Sequence, residues 1–178
     1  ALSLALWFQN DVQASLSALR HACSLNPNDT EIMGELGFRY AVLADWNRAV
    51  PLLEQCYERN PAQPNNHRLG LALFHFAHGR FEEALAEARK LDVPNVIYGH
   101  LLVAAAAARA GHTTLAKDAL ARIHAIDPLY GQRVAADLRA RNVNDNLIHH
   151  ISAALRLAGM DIPARQDGDG AYQDSYSV

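Results

Sequence analysis

The chain has 178 residues, enough for one domain, with 16 Lys and Arg against 19 Asp and Glu and a formal charge of −3. That balance excludes the concentrated basic face with which a nucleic-acid binder neutralises phosphates. No stretch reaches the roughly 18 consecutive apolar residues of a membrane span; the most apolar run, Val96 to Ala108, contains His100 and stops at Arg109.

The chain opens on eight residues from Ala1 to Phe8 that are mostly apolar, without a basic leader or a start Met. They predict the cut end of a longer protein, with an effector domain upstream, rather than a signal peptide. A turn at Gln9, Asn10 and Asp11 then starts a helix that runs to Leu25 and stops at Asn26 and Pro27. From there the pattern repeats. Closing prolines stand at Pro27, Pro61, Pro94 and Pro128, at spacings of 34, 33 and 34, and proline cannot continue a helix. Midway between them lie turn residues: Ala44 with Asp45, Gly79 with Arg80, and Gly111 with His112. Five residues beyond each turn a small side chain recurs, at Ser15, Ala49, Ala84 and Ala116, where a neighbouring helix can approach. Leu36 with Gly37, Leu71 with Ala72 and Val103 with Ala104 precede the turns. Pro51 falls inside the helix after Asp45, which predicts an irregular turn without a break.

These units resemble the tetratricopeptide repeat, a helix–turn–helix of about 34 residues. The copy at 30–63 carries Leu36, Gly37, Tyr40, Trp46, Ala49, Leu53 and Pro61 at the family's places. The copy at 64–96 keeps Leu71, Ala72, Gly79, Phe81 and Ala84, puts His75 where an aromatic is usual, and has a second helix shortened to end near Leu91. The copy at 97–128 keeps Val103, Ala104, Gly111, Ala116, Leu120 and Pro128, with Ala107 and Thr113 replacing both aromatics. Residues 1–29 are a partial copy. The resemblance covers residues 1–128 and implies an all-α, right-handed α-α superhelix.

After Pro128 the period ends while helical patterning continues. Tyr130 to Ala140 places Val134, Ala135 and Leu138 on one face, and Asn144 to Leu157 carries Leu147, Ile148, Ile151 and Leu155, with Gly159 as C-cap. Residues 129–160 thus predict a two-helix cap for the solenoid. Its closing segment is similar to those behind tetratricopeptide regions of bacterial class III adenylate cyclases and winged-helix regulators. Residues 161–178 are acidic, Gly-rich and almost without aliphatics, the composition of a mobile tail. The basic terminal helices, through Arg133, Arg139, Arg141 and Arg156, offer that tail a surface.

The resemblance places partner binding on the concave groove formed by the first helices. The groove positions are Glu31, Glu35, Phe38 and Val42, then Leu69, Leu73 and Phe76, then Tyr98, Leu101, Ala105 and Arg109. They form a largely apolar surface without the Lys, Arg and Asn clamp with which some family members hold acidic chain ends, so the expected ligand is an apolar helix or segment. No phosphate loop, nucleophile elbow or ligand-spaced His and Cys set is present. The nine His read as surface or core residues, Cys56 as a buried thiol, and Glu82 and Glu83 as helix-start carboxylates. Two thiols, Cys23 and Cys56, make no disulfide framework and fit a reducing, cytoplasmic setting. The sequence therefore predicts a non-enzymatic protein-interaction scaffold without metal or cofactor, from a larger bacterial regulatory protein. Its partner would be a protein or peptide, its own upstream domain or another copy in a homodimer. Two alternatives stay open: a packing or oligomerisation module closed by its own chain, and a non-catalytic fragment of an enzyme such as an adenylate cyclase.

Overall fold

The computed structural model describes residues 2–62, 65–91 and 96–163. Pro94 and the expected acidic tail beyond residue 163 lie outside the described residues. Ten α-helices follow one another among the described residues: α1 Leu2–Phe8, α2 Val12–Leu25, α3 Thr30–Val42, α4 Trp46–Arg59, α5 Arg68–Ala77, α6 Phe81–Ala88, α7 Ile97–Arg109, α8 Thr113–Ile126, α9 Val134–Ala140 and α10 Asp145–Ala158. Single 3₁₀ turns, Asn65–His67 and Tyr130–Gln132, precede α5 and α9. The expected helix from Tyr130 is thus a 3₁₀ turn followed by a short α9. The chain is an all-α superhelix of helix pairs, the class the repeat implied.

The turn chemistry explains the pairing. Asn10, Ala44, Gly79 and Gly111 all adopt left-handed backbone, with φ of 64°, 60°, 71° and 85°. At each turn the following amide donates to a carbonyl five residues back: Asp11 to Leu6, Asp45 to Tyr40, Arg80 to His75 and His112 to Ala107. This is the Schellman closure, which satisfies carbonyls a helix end leaves open. The same device recurs at Asn142, where the Val143 amide donates to the Leu138 carbonyl, so one local device reverses the chain five times among the described residues. Asp11 then accepts from the Ala14 amide, capping α2. The small residues beyond the turns are buried as expected: Ser15, Ala49 and Ala84 are 0% exposed and Ala116 1%.

Close approach shows at Gly37, where a Cβ would stand 2.9 Å from Leu53 Cγ. The helix α4 continues through Pro51; the ring sits near its start, where the Asn47 carbonyl loses one amide partner. The helix α6 is short and ends at Ala88. Cys56 is fully buried and donates to the Leu53 carbonyl.

The core divides in two. A smaller cluster joins α2, α3 and α4 through Leu16, Leu36, Tyr40 and Leu53. A larger one runs from Trp7 and Val42 through α5–α8 to Leu138, Ile148, Ile151 and Leu155. Trp7 and Ile151 share a cluster because the C-terminal pair returns. The helix α10 lies mainly against α7, a first helix, and touches α8 much less. The sequence expected two closing helices; α9 and α10 are present, and α10 lies along α7.

Candidate binding site

The site begins with the amphipathic pattern of α3, α5 and α7. Phe38 and Val42 stand one turn apart on α3, Leu69 and Leu73 one turn apart on α5, and Tyr98 with Leu101 and Leu102 on α7. Helical spacing brings each set to one face. Together they border an apolar cavity of about 160 Å³. Its far wall comes from distant sequence: Trp7 and Phe8 of α1, Leu138 of α9, Arg141 and Val143 of the following turn, and Ile151 of α10.

Three hydrogen bonds hold that wall in place. The Trp7 indole Nε1 donates to the Arg141 carbonyl at 3.1 Å. The Asn142 side-chain amide donates back to the Trp7 carbonyl at 3.0 Å. The Asn144 amide donates to the Val42 carbonyl at 2.8 Å. Asn142 itself is left-handed, with φ of 59°, a conformation Asn tolerates better than most residues. The α9–α10 turn is thereby tied to the ends of both α1 and α3.

A second polar knot fixes α9. Asp137 Oδ2 accepts from the Tyr98 hydroxyl at 2.7 Å and from the Tyr130 hydroxyl at 2.6 Å. The Arg141 guanidinium lies over the Tyr98 ring at 4.4 Å and faces Asp137 Oδ1 at 3.5 Å. Burial works to raise the Asp137 carboxyl, but the two hydroxyl donors and Arg141 outweigh it and hold it below the usual range. Burial, and then the hydrogen bond to Asp137, push the Tyr98 phenol up to about 12 and drive Tyr130 upward as well.

Arg39 forms the other polar feature. It pairs with Glu35 one turn earlier and its guanidinium lies 4.4 Å over the Trp7 ring. It is only 6% exposed. Burial pulls its pKa down while Glu35 supports the charge; an arginine stays protonated regardless. Burial would raise Glu35, but His67, at 3.5 Å, and Arg39 bring it below its ordinary value.

The predicted groove residues thus separate. Phe38, Val42, Leu69, Leu73, Tyr98 and Leu101 border the cavity. Glu31 and Glu35 flank buried His67, at 3.9 and 3.5 Å. Phe76 packs edge-on to Phe81 with centroids 5.5 Å apart, Ala105 is fully buried inside the helix stack, and Arg109 covers the Phe81 ring at 5.0 Å. Sequence reasoning missed Trp7, Phe8, Arg39 and Arg141. Arg39 had a signal, its one-turn spacing from Glu35; the others had none short of the tertiary fold. Among the described residues no group of His, Cys, Asp and Glu is arranged to hold a metal ion, and no helix is long and apolar enough to cross a membrane.

A solved chain titled the MamA RS-1 ArsTM double mutant matches this one with a TM-score of 0.59, over 88% of this chain and 90% of that chain, at 16% sequence identity. MamA is a tetratricopeptide solenoid. This chain has that fold. Neither a protein-family model nor a curated protein matches the sequence.

Proposed function

We propose that this tetratricopeptide-type solenoid is a protein-interaction scaffold whose inner face takes an amphipathic helix. The supporting observation is the helix the face already carries. Leu147, Ile148, Ile151 and Leu155 of α10 are each no more than 4% exposed, and α10 packs on α7. An inner face that buries one apolar helix stripe has the shape and chemistry for another, the helix-in-groove mode of recognition. A partner would either exchange with α10 or engage the face beside it.

Capture from cell extract tests this reading. The full chain and an Ile151→Ala variant, which loosens α10, are used side by side, with melting curves to confirm that the repeats stay folded. The scaffold reading expects a specific protein on both, and more of it on the variant. Equal absence from both sinks it.

The second reading, a packing module closed by its own chain, is favoured by the Trp7, Asn142 and Asn144 bonds that tie the return in place. It expects α10 to stay seated and no groove partner on either form.

A further inference from the structure

The cavity under the α9–α10 return has more chemistry than a packing defect. Its volume of about 160 Å³ matches that of an apolar hole known to stay dry and accept a benzene ring, about 150 Å³. It is far too small for a helix. Its aliphatic and aromatic wall is interrupted by two guanidinium groups, Arg39 from α3 and Arg141 from the α9–α10 turn. Both meet Trp7: Arg39 lies over its ring, and the backbone of Arg141 accepts from its indole.

Neither arginine has all its donors satisfied. Arg39, more than nine-tenths buried, pairs with Glu35 through Nη2, while its Nε is enclosed without a hydrogen-bond partner. The Arg141 Nε is likewise enclosed without a hydrogen bond, with Asp137 Oδ1 standing off at 3.5 Å. A buried charged group that leaves a donor unmatched is costly, and folds normally avoid it. Two guanidinium groups lining one apolar chamber make the pattern of a small-molecule site, an apolar container with a few convergent polar groups.

We propose that this cavity binds a small organic acid. An aromatic or short acyl body of about six to nine heavy atoms fills the chamber, on the scale of the benzene-sized hole. The carboxylate pairs with the Arg39 and Arg141 guanidinium groups that line the chamber. The helix-binding reading is separate, since this ligand sits beneath the return and needs no exchange of α10. Bound acid would brace α3 against the α9–α10 turn.

The test uses the full chain with Trp46→Phe, so that fluorescence reports Trp7 alone. Phenylacetate and hexanoate are titrated, with benzyl alcohol and dodecanoate as controls, and melting temperature is followed in parallel. The acids should change Trp7 emission, raise the melting temperature and bind at least about tenfold more tightly than benzyl alcohol, while dodecanoate is excluded by length. Arg39→Lys, which removes the planar guanidinium fork and keeps the charge, should weaken the acids about tenfold and leave benzyl alcohol unchanged. Val42→Phe should abolish binding by filling the chamber; if its melting curve shows a lost fold, Leu69→Phe, at a half-buried wall position, replaces it. Silence at millimolar acid, equal affinity for acid and alcohol, equal binding of dodecanoate, or binding that survives the filled chamber overturns the proposal.

Discussion

The Trp7 indole and the Arg141 carbonyl, 134 residues apart in sequence, are joined by a hydrogen bond of 3.1 Å. Trp7 is 1% exposed and its ring supports Arg39. Trp7→Ala removes the bond, the stacking surface and a large core side chain. It should cost about 3–5 kcal/mol, as buried Trp truncations do. Trp7→Phe keeps most of the packing and leaves the Arg141 carbonyl without its donor, for a cost of about 1–3 kcal/mol. Urea unfolding of the two variants checks the order, and equal losses would contradict it.

Ala44 occupies the left-handed turn position that Gly79 and Gly111 fill in the next two repeats. A Cβ there is strained by about 1–2 kcal/mol, and glycine adds about 0.4–1 kcal/mol of freedom to the unfolded chain. Ala44→Gly should therefore stabilise by up to about 1.6 kcal/mol. Ala49→Gly, inside α4 and fully buried, should move the other way by about 1 kcal/mol. Thermal melting of the pair gives the signs directly.

The tyrosine–aspartate knot sets a pH window. Asp137 has its folded pKa lowered, so its contribution is fully present above the unfolded value of about 3.9 and is lost as pH falls through the folded value. Tyr98 is raised to about 12, so its contribution is full below the unfolded value of about 10 and is lost as pH rises towards 12. The knot's own contribution should be flat between about pH 5 and 9 and fall on both sides. Asp137→Asn should cost about 1–3 kcal/mol at neutral pH and make the acid limb shallower, the rest of it belonging to Glu35 and Glu87. Denaturant unfolding across pH measures both, and an acid limb unchanged in the variant would contradict the assignment.

Gly131 lies under the segment that follows α10. A Cβ there would stand 2.2 Å from the Asp161 carbonyl oxygen, a backbone atom that cannot turn aside. Gly131→Ala should cost about 1–3 kcal/mol through displaced packing. A melting temperature equal to wild type would show that the terminal segment moves freely.

The repeat was legible because its signals are local. Left-handed turns, proline stops and buried small residues each act within one or two helical turns, so Asn10, Ala44, Gly79 and Gly111 announced themselves in phase. The amphipathic stripe of α10 was legible too, but Leu147, Ile148, Ile151 and Leu155 suit an end cap and an inner-face helix equally. What decides between them is Trp7, Asn142 and Asn144, and no spacing rule links residues so far apart. The apolar residues of the cavity wall on α3, α5 and α7 were legible as helix faces; its charged half was not, because the one-turn spacing of Glu35 and Arg39 suits a solvent-facing ion pair equally well.

In an open array of repeats each unit leans only on its neighbours, and the outermost units fray first. Here the first helix is bonded to the turn before the last, so neither end can loosen without releasing the other. Such a molecule should lose its amide protection nearly all at once, as one cooperative unit, where an open array would show a gradient from its ends inward. Sealing that loop needs residues from the two ends of the chain to meet, which should make it a late and slow event in folding.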